Sequence, residues 1–273
     1  MDLVFFDLDG TLLNKSSEIS AFTLDTLQML KEKGIAHTLA TGRTMSSAQQ
    51  IIHVYDFDLP HIYCNGVALW DPKHQSLTLD NLLSQNDIDT IVDFSLSKGV
   101  APFINTIDSL HQHTIFYPTL QRQIEKDLVD NYYAKSNLKL RPLSEFETHC
   151  RVTNISMIGD TDLIQVLWQY FNEFDSIVAY SGTAIEGDHY SWMDVHHRLA
   201  NKGSAVKSLK EQLGASNVIC FGDSYNDETM FNLADECYAP ENAKTVIKKL
   251  ANEVIGHHHQ DGVAHFLRER FSL

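Results

Sequence analysis

The chain has 273 residues, of which 43% are hydrophobic and 21% are charged, and this is enough apolar material for about two globular domains. Asp and Glu outnumber Lys and Arg by 36 to 21, which gives a formal net charge of −15. This balance disfavours a nucleic-acid or acidic-membrane binder, since either function needs a basic face. The acidic balance does not exclude small anionic substrates, because a local site can be positive on an acidic protein.

The four cysteines (Cys64, Cys150, Cys220 and Cys237) are widely scattered and form no CxxC pair. Their spacing therefore predicts neither a zinc site nor a disulfide framework, and reduced thiols are the simpler interpretation. No stretch approaches ~18 consecutive apolar residues, and the N-terminus lacks a basic segment followed by a long apolar run. We expect a cytoplasmic protein without a signal peptide or membrane span.

Strand and helix patterns alternate along the first 81 residues. The predicted elements are a buried strand over residues 3–6, a helix from an N-cap at Ser20 to a stop at Gly34, and a strand over 35–40. Asn65 and Gly66 then separate two β-rich stretches, which suggests a hairpin. This alternation predicts a parallel sheet covered by helices.

Between residues 82 and 190 the predicted strands come in groups, which indicates an inserted α+β domain. The βα alternation returns afterwards, with a helix over 202–213, a strand over 218–221 and a helix over 227–234. The predicted fold class is α/β, with a Rossmann-like parallel-sheet core formed by residues 1–81 and 191–273. The inserted α+β domain covers residues 82–190.

Polar clusters follow three of the predicted core strands, and a lysine begins a predicted helix. Ligands of an open parallel sheet bind at the carboxyl ends of its strands. Carboxylates, hydroxyl and amide donors and one ammonium are the groups needed for Mg²⁺-assisted phosphoryl transfer. The residues concerned are Asp7 and Asp9, Thr41 to Arg43, Gly222 to Asp227 in "GDSYND", and Lys202.

These segments resemble the motifs of the haloacid dehalogenase (HAD) superfamily. "DLDGTLL" resembles its first motif, "TGR" its second, Lys202 its third and "GDSYND" its fourth, in matching order. The insert of roughly 110 residues between the second and third motifs is similar to the C2-type cap of the Cof-like branch. The resemblance spans almost the whole chain.

The resemblance implies a role for each residue of the first motif. Asp7 would be the nucleophile and a Mg²⁺ ligand. Asp9 would give its backbone carbonyl to Mg²⁺, while its side chain protonates the leaving oxygen and later activates water. The Leu8 amide would bind phosphate. An acid at the position of Asp9 favours a phosphatase or a phosphomutase, because the family's dehalogenases lack it.

The other motifs imply the rest of the site. Thr41 and Gly42 would bind phosphate through hydroxyl and amide, and Lys202 would pair with phosphate and with the nucleophile. Arg43 would either contact the substrate or brace its own loop, and the sequence does not distinguish these two roles. In the fourth motif, Asp223 would be a Mg²⁺ ligand, Asp227 a second ligand or an anchor behind it, and Asn226 a phosphate contact.

Other polar residues have simpler interpretations. For Asn65 and Gly66 a plain turn is favoured over a role near the substrate. For His196, His197 and Arg198, a structural role is somewhat favoured over a substrate contact at the junction of the two domains. The run of His257, His258 and His259 could bind a metal, but a surface loop is favoured.

The leading function hypothesis is a Mg²⁺-dependent phosphatase of small phosphorylated metabolites, such as sugar phosphates or phosphorylated cofactors, acting through an aspartyl phosphate. One alternative is a phosphomutase or phosphotransferase that uses the same intermediate. Another is a non-catalytic metabolite-binding regulator on the same fold, against which the presence of both Asp7 and Asp9 argues. The sequence identifies neither the substrate nor the oligomeric state.

Overall fold

A computed structural model describes residues 1–136, 138–184 and 186–273. The chain forms two compact units. The first consists of Met1–Thr78 and Asn201–Leu273, and the second of Leu79–Ala200. Among the described residues, no helix has both the length and the apolar composition that a membrane crossing requires.

The strands, in chain order, are β1 (Asp2–Phe6), β2 (Ala36–Leu39), β3 (His61–Tyr63), β4 (Ala68–Asp71), β5 (Ser76–Leu79), β6 (Phe103–Ile107), β7 (His113–Tyr117), β8 (Lys139–Pro142), β9 (Val152–Asp160), β10 (Ile177–Thr183), β11 (Tyr190–His197), β12 (Asn217–Phe221), β13 (Glu236–Pro240) and β14 (Glu253–Ile255). The α-helices are α1 (Ala21–Glu32), α2 (Met45–Ile52), α3 (Gln85–Ser97), α4 (Gln123–Leu128), α5 (Thr161–Phe171), α6 (Lys202–Leu213), α7 (Glu228–Phe231), α8 (Thr245–Leu250) and α9 (Gly262–Phe271).

The first unit contains a five-stranded sheet in the order β14-β13-β12-β1-β2, and every neighbouring pair is parallel. The apolar runs of β1 and β12 are buried almost completely, as expected of central strands covered on both faces. The predicted α/β class with a parallel sheet is therefore confirmed.

The strand order reverses between β1 and β12, since β2 lies on one side of this pair and β13 and β14 lie on the other. The pairing extends past the strand ends, where the Asp7 amide donates to the Phe221 carbonyl at 3.0 Å. A crevice outside the carboxyl ends of the strands at such a switch point is where open α/β sheets bind ligands.

A smaller sheet of the first unit has the order β3-β4-β5. Strands β3 and β4 are antiparallel, which confirms the predicted hairpin. Its connection is a single 3₁₀ turn over Cys64–Gly66, in which Asn65 adopts the left-handed conformation (φ 53°, ψ 27°). Asparagine tolerates this region better than most residues.

The second unit contains a six-stranded sheet in the order β10-β11-β9-β6-β7-β8, which is antiparallel except for the β7–β8 pair. The sequence analysis predicted that the inserted domain ends at residue 190 and that the core resumes at residue 191, and this boundary is wrong. Strand β11 pairs with β9 and β10 inside the second sheet, so that the unit continues to Ala200.

The helix predicted over residues 227–234 is also shorter than expected. A 3₁₀ turn over Tyr225–Asp227 precedes α7, which covers only Glu228–Phe231. The turn forms because Asp227 accepts bonds from the backbone of its own loop, as described below.

Candidate active site

Asp7 lies at the carboxyl end of β1, where the buried strand gives way to a tight turn over Leu8–Leu12. Its side chain is buried. Gly10 makes the turn possible, because it adopts φ +76° and because a Cβ at this position would collide with the Asp223 carboxylate. The turn therefore brings the first and fourth sequence motifs into contact.

Lys202 connects the third motif to two carboxylates. It is the first residue of α6, whose N-cap Asn201 accepts a 2.9 Å bond from the Ser204 amide. The Lys202 ammonium is fully buried and donates to Asp7 Oδ1 and to Asp227 Oδ1, both at 2.6 Å. A buried ammonium requires such partners, and here they belong to two different motifs.

Asp227 organises the loop that carries Asp223. Its Oδ2 accepts bonds from the backbone amides of Asp223 (2.8 Å) and Ser224 (3.0 Å), while its Oδ1 accepts from Lys202. Gly222 permits this packing, since a Cβ there would lie 2.5 Å from the Asp227 carboxyl carbon. Both oxygens of Asp227 are therefore engaged by the protein, and this favours the anchoring role over direct metal ligation.

Three carboxylates converge on one another in this loop cluster. Asp7, Asp223 and Asp227 each offer an oxygen within 4.8 Å of the other two. Burial raises the pKa of Asp7 to about 7, an effect that Lys202 opposes and that Asp227 and Asp9 increase. Burial, Asp7 and Asp227 together raise the pKa of Asp223 to about 8.

This concentration of negative charge needs more than one ammonium to balance it. Burial alone would lower the pKa of Lys202, but Asp227 and Asp7 outweigh burial and raise it, so the ammonium remains charged. An all-oxygen donor set with excess negative charge fits a hard divalent cation. The residues present therefore fit a hard divalent cation such as the Mg²⁺ that the sequence predicted.

Asp9 and Arg43 form a bidentate ion pair. Arg43 Nε donates to Asp9 Oδ2 and Nη2 donates to Asp9 Oδ1, both at 2.6 Å. The Asp9 side chain is about half exposed, whereas that of Arg43 is mostly buried. Arg43 also donates to the Ser47 hydroxyl at 3.2 Å. The guanidinium thus holds the carboxylate in one orientation by a fork geometry that lysine lacks.

The second motif lies against the hairpin turn. Thr41 is buried, and its hydroxyl accepts the Arg43 amide at 3.1 Å. A Cβ on Gly42 would lie 3.1 Å from Asn65 Oδ1 and 3.4 Å from Asn226 Nδ2. Asn226 Nδ2 in turn donates to Asn65 Oδ1 at 2.9 Å. Gly42 therefore leaves space beside two side-chain amides.

Asn65 is thus more than a turn residue. It is buried, and its backbone amide donates to the Thr41 carbonyl at 3.0 Å. The sequence favoured a plain turn here because an Asn-Gly pair is a common hairpin signal. Nothing in the spacing indicated that this amide side chain would bond to Asn226 of the fourth motif.

Three further candidates from the sequence are Leu8, His196 and His197. The Leu8 side chain is buried, so the backbone amide is the group of this residue available for the expected phosphate contact. His196 and His197 lie on β11 and belong to the second unit, whereas the motif residues belong to the first. The sequence analysis assigned no role in the site to Asn242, which donates to the Gly10 carbonyl at 2.7 Å and braces the turn over Leu8–Leu12.

The fold and these motifs define a family. Residues 4–267 match the sequence pattern of the haloacid dehalogenase-like hydrolases, and the chain belongs to this family. A haloacid dehalogenase-like hydrolase of Bacillus subtilis has a similar structure, with a TM-score of 0.79 and 22% identity over 98% of this chain and 99% of that one.

Named relatives include phosphatases of comparable length. The chain is 27% identical to the 5-amino-6-(5-phospho-D-ribitylamino)uracil phosphatase YitU of Bacillus subtilis, over 99% of this chain and 98% of that protein. It is 24% identical to the pyridoxal phosphate phosphatase YbhA of Escherichia coli, over 97% of both. The predicted enzyme class, a phosphoric monoester hydrolase, is confirmed.

Proposed function

We propose that the protein is a Mg²⁺-dependent phosphatase of small phosphorylated metabolites that acts through an aspartyl phosphate on Asp7. The observation that carries this proposal is the convergence of Asp7, Asp223 and Asp227 around the buried Lys202 ammonium. This arrangement provides a nucleophile, a cation site and a fixed positive charge in one place.

Asp7 and Asp9 have different roles in phosphoryl transfer. Asp7 Oδ attacks phosphorus, the ester oxygen leaves, and Asp9 donates its proton to that oxygen. In the second half-reaction Asp9 removes a proton from water, which attacks the same phosphorus and releases Asp7. Asp7, Asp223 and the Asp9 carbonyl would hold Mg²⁺, which would supply charge neutralisation for the transferred group.

Further residues bind and position the phosphate. Thr41 and Asn226 offer a hydroxyl and an amide, while Leu8 and Gly42 offer backbone N–H groups. Lys202 neutralises part of the charge that develops in the transition state. Arg43 positions Asp9 through the two bonds that the structure contains.

We propose that the second unit is the C2-type cap that the family resemblance implies. All proposed phosphate and metal ligands belong to the first unit, so selectivity for the rest of the substrate has to come from other residues. Metabolites of the kinds named for the relatives, together with sugar phosphates, are the first substrates to screen.

A screen of phosphorylated metabolites, with and without Mg²⁺, tests this proposal. We expect phosphate release that chelation abolishes, that Ca²⁺ inhibits and that Asp223→Asn severely reduces. Product analysis separates the mutase alternative, which would convert substrate into an isomeric phosphoester without releasing phosphate. Full activity after exhaustive chelation would refute the metal assignment, and binding without any turnover would favour the regulator.

A further inference from the structure

A cluster of three histidines lies beside the nucleophile turn, which is the turn over Leu8–Leu12 that follows the proposed nucleophile Asp7. The proposed phosphatase chemistry does not use this cluster. His257, His258 and His259 each offer a ring nitrogen within 4.8 Å of the other two. Their ring centroids are 4.0 to 5.0 Å apart. Zn–N bonds of about 2.0–2.1 Å in a tetrahedron separate ligand atoms by about 3.4 Å, so the side chains would rotate to bring these nitrogens closer when a metal binds.

The segment is anchored to the first unit at its C-terminal end. A 3₁₀ turn over His258–Gln260 holds the histidines together, and the next residue, Asp261, adopts a left-handed conformation (φ 55°). Asp261 Oδ1 accepts the hydroxyls of Ser20 (2.6 Å) and Thr23 (3.1 Å). The backbone that carries the three imidazoles is therefore held in place before any ligand binds.

His258 has the orientation of a metal-binding histidine. Its Nδ1 lies 2.7 Å from the Leu13 carbonyl, and since a carbonyl only accepts, Nδ1 carries the proton. This leaves the lone pair on Nε2, the usual ligand atom when a backbone carbonyl fixes the tautomer.

His257 and His259 complete the set at the surface. His257 is half-buried and its Nδ1 accepts the His259 amide at 3.1 Å, a bond that metal binding through Nδ1 would replace. The His259 ring is exposed. Ligands that are all imidazole favour Zn²⁺, Ni²⁺, Co²⁺ and Cu²⁺, whereas Mg²⁺ prefers oxygen.

We propose that His257, His258 and His259 form a binding site for a borderline transition-metal dication of the Zn²⁺ type, separate from the carboxylate site. The donor chemistry differs from that of Asp7, Asp223 and Asp227, so saturation of one site with Mg²⁺ leaves the other available. Three protein ligands leave a fourth coordination position for water.

The site is connected to the nucleophile turn by direct bonds. The His258 ring donates to the Leu13 carbonyl, and the His258 amide donates to Asn242 Oδ1 at 3.2 Å. Asn242 in turn donates to the Gly10 carbonyl at 2.7 Å. Occupancy therefore braces the backbone that follows Asp7 and Asp9, and we expect it to raise the thermal unfolding temperature.

Titration of the chelated full-length protein with Co²⁺ in saturating Mg²⁺ tests this site through visible absorption. We expect one Co²⁺ per chain in the wild type and in a control, His53→Ala/His149→Ala, which removes two exposed histidines elsewhere. In His257→Ala/His259→Ala the affinity should fall by about a hundredfold or more. The single change His259→Ala should weaken Co²⁺ binding by at least about tenfold. Thermal unfolding checks that each variant is folded.

Two results would overturn the proposal. One is equal Co²⁺ affinity in the wild type and in the folded His257 and His259 variants. The other is Co²⁺ binding that excess Mg²⁺ or Asp223→Asn abolishes, which would place the ion in the carboxylate site. Because the readout is binding, neither result depends on whether the protein is a phosphatase.

Discussion

Lys202 Nζ lies 2.6 Å from Asp7 Oδ1, although 195 positions separate the two residues in the chain. The same ammonium lies 2.6 Å from Asp227 Oδ1. This fully buried lysine therefore joins the first, third and fourth motifs. Without it, the carboxylates of Asp7 and Asp227 would face one another with no interposed charge.

We predict that Lys202→Met lowers the free energy of unfolding by about 3–5 kcal/mol, because it leaves buried carboxylates unpaired. Chemical denaturation measures the loss. Adding Asp227→Asn to Lys202→Met should recover part of it, since one of the two carboxylates is then neutral. A Lys202→Met protein as stable as the wild type would mean that the ion pairs do not hold the motifs together.

We predict that Arg43→Lys slows turnover by about ten- to a hundredfold and that the effect depends on the leaving group of the substrate. An ester with a poor leaving group needs proton donation from Asp9, whereas an aryl phosphate with a good leaving group needs it far less. The loss in kcat should therefore be larger for an alkyl phosphate than for an aryl phosphate. Arg141→Lys, on the surface of the second unit, provides the matched control. Equal losses on both substrates would show that Arg43 does not act through Asp9.

Much of this site could be predicted from the sequence because its parts are local signals. Asp7 follows an apolar strand, and Lys202 begins a helix. Lys202 was singled out by its place in the order of the family motifs. The bidentate bond from Arg43 to Asp9 could not be predicted, because it depends on side-chain directions across two loops. The second unit's end at Ala200 was missed because the alternating pattern of β11 fits either sheet.

We predict that His113→Leu reduces the acid sensitivity of folding. Burial lowers the pKa of His113 in the second unit to about 4, and its Nε2 has no hydrogen-bond partner among the described residues. The unfolded chain binds this proton near pH 6.5, so stability is present above that pH and is lost as the pH falls toward 4. The loss between pH 7 and 5 is about 2 kcal/mol.

Denaturant unfolding of the wild type and of His113→Leu at pH 7 and pH 5 checks this. Between pH 7 and pH 5, the free energy of unfolding should fall by about 2 kcal/mol more in the wild type than in His113→Leu. His149→Leu, which replaces an exposed histidine of the same unit, should behave like the wild type. Parallel loss in all three proteins would rule out His113 as the source of the acid sensitivity.

We predict that Asp7→Asn abolishes turnover while the fold remains intact. An amide is nearly isosteric with the carboxylate but is a poor nucleophile and a poor Mg²⁺ ligand, so kcat should fall by at least about a thousandfold. Asp56→Asn, on the surface of the first unit, is the control and should retain full activity. A folded Asp7→Asn protein with more than about a tenth of wild-type kcat would refute nucleophilic catalysis by Asp7.

The central claim, that Asp7 carries the phosphoryl group during turnover, is tested most directly by peptide mass spectrometry of acid-quenched enzyme. Asp9→Asn is the suitable protein, because loss of the base that activates water should slow hydrolysis of the intermediate. Quenched in the presence of an aryl phosphate and Mg²⁺, it should contain phosphate on Asp7, and Asp7→Asn/Asp9→Asn should contain none. Phosphate release during turnover with Asp7 unmodified at every quench time, or phosphate found on another residue, would contradict the account.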